Sequence, residues 1–510
     1  MGAGLVCISV TDSTSERFLL KASKACANAA AVELRFDSLS PDELPKVVEG
    51  LAEIRRDYGG VLIGTLRSSA EGQGGLRDVS TEEIASFWSD PRLRNAVDWV
   101  DAGPDELPDP PSEYKRIIRS RHYFDSAPTE AELAEVASVL KNCGSDPSRN
   151  AIKIACTPDD ITGAIPVWNL LEHNDEKIAI AMGKFGVWTR ILAPAYGSAV
   201  TYASIDDGPE SAPGQIRFEE LTETYRVGEI TEETSVYGIV GLPVSHSLSP
   251  AIHNASFRER AIDAVYVPLA VRDAGEFFRE MVSPATRKIK WNLRGFSVTH
   301  PHKTSMARLV ERLTADAEAI GAVNTVMIES GTCVGSNTDA EGFLASLKTK
   351  LGDPKGASVG IIGSGGAARA AVFALSNAGA RTVIFSRDPS KAKGISDRFG
   401  TKIRLLQRDP ASFQGLDVIV NASPIGSSGG LEGESPVPRE ALENLQLAFD
   451  MVYNPIRTRF LRDASDAGIP TIGGLEMLIE QAALQFRTWT GQEAPKDAML
   501  RTAESRMRSL

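Results

Sequence analysis

The chain has little cysteine and little histidine. Its five cysteines, Cys7, Cys26, Cys143, Cys156 and Cys333, are odd in number and scattered in spacing, and no CxxC occurs. That excludes a disulfide framework and leaves buried free thiols in a reducing compartment as the expectation. The six histidines form no HExxH or other zinc spacing, so no metal is expected. No run of 18 apolar residues exists, so no membrane-spanning helix is expected. Met1-Gly-Ala-Gly leads directly into the apolar run 5–10, with no charged leader before a long apolar stretch and no Arg/Ser-rich presequence.

What remains is ordinary for a soluble globular chain: 42% hydrophobic and 24% charged residues. At 510 residues, division by roughly 150 residues per domain gives about three domains. The net charge of -12 is unevenly spread. Residues 1–222 carry 22 bases and 35 acids, residues 223–235 carry 1 and 4, and residues 236–510 carry 32 and 28. An acidic front half excludes nucleic acid as a partner, and the mildly basic rear half suits a phosphorylated ligand.

Eight short apolar runs fall at 5–10, 31–36, 60–66, 97–101, 116–122, 151–156, 178–183 and 199–203. The gaps hold helix-compatible sequence, as at 130–141, where Leu133, Val136, Ala137 and Leu140 share a face. Eight βα units in about 210 residues predict a (β/α)8 TIM barrel, whose chemistry sits at the C-terminal ends of its strands. Those ends carry Glu33-Leu-Arg35, Arg67 followed by Glu71, His122, and Lys153 between Ile152 and Ile154. Arg190 follows the seventh run and Ser211-Ala-Pro-Gly-Gln215 the eighth. Alternate strand positions face the interior, so Glu33 and Arg35 point the same way. Buried charge is costly unless it is paired or functional, so this convergence marks an active site.

The polar stretch 223–235 predicts a linker. A second unit begins at 236, with a first part to 342 that alternates strands (236–241, 264–270, 295–299, 322–328) and helices. A second part, 343–474, opens with Ser358-Val-Gly-Ile-Ile-Gly363-Ser-Gly365-Gly366-Ala. Strand, Gly-rich turn and helix in that order predict a Rossmann-type dinucleotide site, with phosphates held by backbone N–H groups. The next strand ends Ser386-Arg387-Asp388. Ser386 and Arg387 favour a 2′-phosphate and hence NADP, while Asp388 argues for NAD. Residues 475–510 are predicted to rejoin the first part as a C-terminal helix, on which Gln481 and Gln485 share a face.

These motifs together resemble the bifunctional type I 3-dehydroquinate dehydratase/shikimate dehydrogenase family over nearly the whole chain. The resemblance places the dehydratase barrel at 1–222 and the shikimate-binding subdomain at 236–342. It makes Lys153 the Schiff-base lysine, His122 the proton shuttle and Glu71 its orienter. Burial among Ile152, Ile154 and the barrel core would lower the lysine pKa toward nucleophilic use. Glu33, Arg35, Arg67, Arg190, Ser211 and Gln215 would bind substrate. Arg121, before His122, departs from the family's commoner Ser-Tyr-His.

In the rear half the resemblance implies a carboxylate site at Ser247 and Ser249 and a Lys303–Asp339 acid/base pair. Thr299, Asn324, Tyr453, Gln481 and Gln485 would surround the substrate. Gly363, Ser364, Gly365, Gly366, Ala367, Ser386, Arg387 and Lys391 would hold NADP. The implied function is dehydration of 3-dehydroquinate and NADPH-dependent reduction of 3-dehydroshikimate to shikimate. A fused NAD-dependent quinate dehydrogenase is the alternative. The implied partners are small molecules only, and the expected place is the bacterial cytoplasm, or the plastid stroma for a mature form. His300, inside the lysine motif, is open between a ligand contact and a water-facing role.

Overall fold

The computed structural model describes residues 4–69, 74–103, 109–172, 176–205 and 214–508. Two compact units emerge. One comprises Met1–Val236 and Val267–Asn292, the other Tyr237–Tyr266 and Leu293–Leu510.

The first unit is built on a curled parallel sheet. Its strands are β1 (Leu5–Val10), β2 (Ala31–Arg35), β3 (Val61–Thr65), β4 (Trp99–Asp101), β5 (Arg116–Tyr123), β6 (Asn150–Cys156), β7 (Lys177–Ala181), β8 (Val200–Ser204) and the short β9 (Ile216–Arg217). The order is β7-β6-β5-β4-β3-β2-β1-β8-β9. Between β7 and the segment leading into β8, a parallel bridge joins Lys177 to Ser198, so the eight expected strands run around a ring. Helices Ser15–Asn28 and Leu44–Asp57 fill the first two crossovers. Glu130–Lys141 forms the expected helix, held at its start by reciprocal hydrogen bonds between Thr129 and Glu132.

Strand alternation divides the apolar residues into two cores. Cys7, Ala31, Ile63, Ile118, Ala151, Ile178 and Val200 fill the barrel interior. Ile8, Val32, Leu34, Leu62 and Val100 pack outward under the helices. The same alternation turns Ser9 and Glu33 inward, two residues along their strands from Cys7 and Ala31. The stretch 223–235, expected as a linker, is packed in this unit: Tyr225, Val227 and Ile230 are buried.

The first sheet of the rear half contains β10 (Ser235–Gly241), β11 (Ala264–Ala270), β12 (Leu293–Val298), β13 (Arg312–Leu313), β14 (Thr325–Glu329) and β15 (Thr332–Ser336). Its order is β11-β10-β12-β14-β15-β13. The expected simple alternation of strands and helices is corrected here. β14 and β15 form an antiparallel hairpin across Ser330 and Gly331, both with positive φ. A two-residue turn with positive φ at both positions matches the strand twist. Ala322–Asn324 precede the strand rather than form it. Gly321, at φ 72, ends the helix Ala315–Ile320 in the left-handed region that disfavours a side chain.

A third sheet follows: β16 (Ser358–Ile362), β17 (Arg381–Ser386), β18 (Lys402–Leu405), β19 (Val418–Asn421), β20 (Leu447–Asp450) and β21 (Thr471–Ile472). All pairs are parallel, in the order β18-β17-β16-β19-β20-β21. This is the doubly wound dinucleotide-binding arrangement. Tyr453 lies beyond β20, which ends at Asp450 rather than at 453. Helices Gly474–Thr490 and Lys496–Arg508 close the chain.

Gly64 tests the outer core of the barrel. A Cβ there would lie 2.5 Å from the ring of the fully buried Trp88, whereas one at Gly59 would meet nothing within 4 Å. Gly64→Ala should lower barrel stability by about 1–3 kcal/mol through overpacking, read as the urea midpoint of the barrel's unfolding transition. Gly59→Ala should leave that midpoint nearly unchanged.

Candidate active sites

The mouth of the barrel opens into a cavity lined among others by Glu33, Arg35, His122, Lys153, Arg190 and Gln215. Six of the residues expected from strand ends thus meet at one place. Arg67 lies behind them, with Nη1 3.2 Å from Nδ1 of His122. Glu71 and Ser211, also expected here, lie outside the described residues.

The register explains the convergence. Ser9 and Glu33 are partners on β1 and β2, Thr65 and Asp101 on β3 and β4, and Ser120 and Lys153 on β5 and β6. Interior side chains at these levels form one buried polar ring. Glu33 accepts from Ser9 and, at 2.9 Å, from the Thr65 hydroxyl. Arg35 is held bidentately by Asp37, at 2.9 and 2.6 Å, and donates to the Gly74 carbonyl. A guanidinium clamped this way keeps its remaining edge at a fixed angle toward the cavity.

Lys153 is the centre of the ring. Its Nζ donates to Oδ2 of Asp101 at 2.7 Å and stands 4.2 Å from the centroid of the Tyr202 ring. Oδ1 of Asp101 accepts from Ser120. Asp101 is completely buried. Despite that burial, Lys153 and Arg67 beside it hold its carboxyl well below the usual carboxylate range. The expectation for Lys153 counted apolar walls alone. The structure adds an anion, Asp101, at hydrogen-bond distance.

Burial, reinforced by Arg67 and Lys153, drives the His122 pKa well below its ordinary value. The imidazole is therefore neutral at physiological pH. Arg67 can only donate, so Nδ1 of His122 accepts and its proton sits on Nε2. Phe124 stacks on the imidazole, at 5.7 Å and 8°. Sequence reasoning missed Asp101, Ser120, Tyr202 and Phe124. For Asp101 the signal was present: an acid ending an apolar run, the same mark that singled out Glu33.

The second site lies in the other unit. Nζ of Lys303 sits 2.5 Å from Oδ2 of Asp339, and Nδ2 of Asn324 donates to Oδ1 at 2.8 Å. Thr338 closes this network by donating its backbone N–H to the Asn324 amide oxygen. Gln485 holds the strand from behind, donating to the Asn324 carbonyl and the Thr325 hydroxyl. Gln481 reaches Asn324 only at 3.5 Å. Ser247 accepts from the Ser249 backbone N–H. Beneath Ser249 lie Tyr266, hydrogen-bonded to Ser297, and the buried His253 stacked on Tyr266 at 4.5 Å. Thr299 and Tyr453 are partly buried, and His300 is exposed.

The Gly-rich turn adjoins this pair. Gly363 has φ 123 and a Cβ there would lie 2.7 Å from the Ala422 carbonyl, so only glycine fits. A Cβ added to Gly365 would meet nothing within 4 Å, which leaves the helix start at Gly366 open for a phosphate. A Cβ on Gly366 would come within 3.1 Å of the Lys303 stem. Arg387 and Lys391 are exposed at the end of the neighbouring strand and on the helix after it. Asp388 is committed elsewhere: its Oδ1 accepts from the backbone N–H and hydroxyl of Ser390, capping the helix Pro389–Phe399. The turn therefore fits a dinucleotide, and the acid that argued for NAD faces a helix start.

The geometry agrees with three family models: type I 3-dehydroquinase over residues 6–232, the shikimate dehydrogenase substrate-binding domain over 239–326, and the shikimate 5′-dehydrogenase C-terminal domain over 474–504. A bifunctional 3-dehydroquinate dehydratase/shikimate dehydrogenase of Arabidopsis thaliana, named as chloroplastic, is 30% identical, covering 97% of this chain and 83% of its own. The chain belongs to the bifunctional 3-dehydroquinate dehydratase/shikimate dehydrogenase family.

Other members of the dehydrogenase family match the rear half alone. A shikimate dehydrogenase (NADP+) of Geobacter sp. strain M21 is 37% identical over 54% of this chain and 97% of its own. A shikimate dehydrogenase crystallised with NADP+ is 35% identical, with a TM-score of 0.50, covering 55% of this chain and 97% of its own. Among the described residues no helix is long and apolar enough to cross a membrane.

The His122 environment predicts its titration. By NMR, the imidazole should become protonated only well below pH 6.5. Arg67→Gln, which removes a neighbouring positive charge, should move that midpoint upward. A wild-type midpoint at or above the ordinary value would refute the assignment of burial and Arg67 as its causes.

Proposed function

We propose that the front unit dehydrates 3-dehydroquinate through a Schiff base on Lys153, and that the rear unit reduces 3-dehydroshikimate to shikimate with NADPH. The observation that carries the first reaction is the meeting of the Lys153 amine and a neutral His122 in one cavity.

The Lys153 amine attacks the C3 ketone, and the iminium acidifies the C2 proton. His122 removes that proton and later protonates the departing C1 hydroxyl, as a neutral imidazole can. Glu33, Arg35, Arg67, Arg190 and Gln215 grip hydroxyls and carboxylate, joined by Ser211, with Glu71 orienting His122. The guanidinium groups of Arg35, Arg67 and Arg190 offer donors suited to an anionic substrate.

In the rear unit, Ser247 and Ser249 receive the substrate carboxylate, with Thr299 beside them. Asn324, Tyr453, Gln481 and Gln485 set the ring. Lys303, paired with Asp339, donates the proton to the C3 oxygen. NADPH, when bound, supplies the hydride. Gly363, Ser364, Gly365, Gly366 and Ala367 would hold its pyrophosphate, and Ser386, Arg387 and Lys391 its 2′-phosphate. The capping role of Asp388 supports NADP over NAD. Ser249 and Thr299 leave little room for the extra C1 hydroxyl of quinate, which supports shikimate.

A coupled assay supplying 3-dehydroquinate and NADPH should yield shikimate. Lys153→Ala should abolish dehydration and spare shikimate oxidation. A variant that still dehydrates would overturn the Schiff-base reading.

Lys303→Ala should lower dehydrogenase kcat by about 100-fold or more. The double variant with Asp339→Ala should be scarcely worse, because groups acting as a unit are strongly non-additive. Additive losses in log rate would show that the pair does not act as one group.

For the cofactor, Arg387→Ala should raise the KM for NADP far more than that for NAD. A charged hydrogen bond of about 1.5–3 kcal/mol corresponds to roughly 10–150-fold. Equal losses for both cofactors would remove Arg387 from phosphate recognition.

A further inference from the structure

We propose that Asp101 is a catalytic residue of the dehydratase site: the fixed counter-ion that keeps the Lys153 nitrogen positively charged as the iminium. This rests on the Schiff-base reading given above.

The geometry is specific. Oδ2 of Asp101 is 2.7 Å from Nζ of Lys153, and the carboxylate is completely buried at the end of β4. Its other oxygen is held by Ser120, on the strand next to it, so the carboxylate is fixed at both oxygens. No flexible side chain intervenes, and no other carboxylate hydrogen-bonds to the amine among the described residues. Glu33 is engaged by Ser9 and Thr65 instead, and Asp37 by Arg35.

The chemistry gives this anion a continuous task. An ammonium and a ketone combine to an iminium and water: the C3–N bond forms, the C3–O bond breaks, and the oxygen leaves with two of the nitrogen's three protons. One proton and one positive charge remain on nitrogen. A carboxylate fitted to the ammonium is therefore also fitted to the iminium N–H. That proton matters, because only the charged imine draws electrons strongly enough to acidify C2–H. Without Asp101 the nitrogen would face the cations Arg35, Arg67 and Arg190 against two carboxylates among the described residues, Glu33, engaged by Ser9 and Thr65, and Asp37, engaged by Arg35. The neutral groups His122, Tyr202 and Cys7 complete its described titratable surroundings. In a buried site that imbalance would expel the iminium proton near neutral pH.

The test uses the full chain with 3-dehydroquinate and cyanoborohydride, which reduces a charged iminium far faster than a neutral imine. In the wild type, covalent mass on Lys153 should form at a rate that stays level from about pH 6 to about 9. In Asp101→Asn the trapping rate and dehydratase kcat should both fall by about 100-fold or more at about pH 8, the usual cost of losing one preorganised electrostatic partner. Both should recover in part toward about pH 6, where the imine regains its proton. Asp101→Glu keeps the charge and should keep the level profile.

A merely structural loss would lower activity equally at every pH. An Asp101→Asn profile parallel to that of the wild type would overturn the proposal. If Asp101→Asn does not fold, the wild-type profile decides, because trapping that declines through neutrality would show that no counter-ion holds the proton. Failure of the underlying reading is distinct: wild-type Lys153 would then carry no covalent mass at any pH.

Discussion

A charge can leave water only in company, and both sites obey that constraint with a lysine paired to an aspartate. In the barrel, Lys153 and Asp101 lie among apolar walls, and Ser120, Arg67 and the face of Tyr202 surround the pair. In the rear unit, Lys303 and Asp339 are less enclosed, with a fifth of the lysine side chain exposed. Breaking a buried pair by removing one partner is far more costly than removing an exposed pair. Separating the barrel pair is accordingly the costlier of the two.

The two units reach this arrangement by different means. In the barrel, period-2 alternation brings polar side chains from adjacent parallel strands to the same depth, so neighbours meet across a strand spacing. Ser9 beside Glu33, Thr65 beside Asp101 and Ser120 beside Lys153 are direct consequences of register. In the rear unit the contacts come from chain reversals. Lys303 begins a short helix after β12, Asn324 follows Gly321, and Asp339 opens the helix after β15. A single glycine fit, Gly363 against Ala422, then places the cofactor turn next to this group.

Much of this was legible in the sequence because it depends on local periodicity. All eight barrel strands and the helix Glu130–Lys141 lie where apolar alternation places them, and the strand-glycine-helix motif produces a Rossmann sheet. Glu33, Lys153 and His122 could be picked out because a charged or titratable residue at the end of an apolar run is costly unless used. The hairpin β14–β15 was less legible. Its two-residue Ser330-Gly331 turn is a short signal, easily absorbed into a βα reading. The edge strand Lys402–Leu405 is largely exposed, so no apolar run marks it.

What sequence by itself determined, then, is which residues are inward-facing, which turn can take a phosphate, and the inventory of acids and bases at strand ends. Pairing was decided only by tertiary structure, because a partner's identity depends on register between strands far apart in the chain. Lys153 and Asp101 are 52 positions apart, and nothing local to either tells which acid will face the amine. The same holds for Asp388, whose position beside Arg387 suggested a ribose contact. Folding turns its carboxylate to the backbone of Ser390, where an unsatisfied helix N–H needs it more.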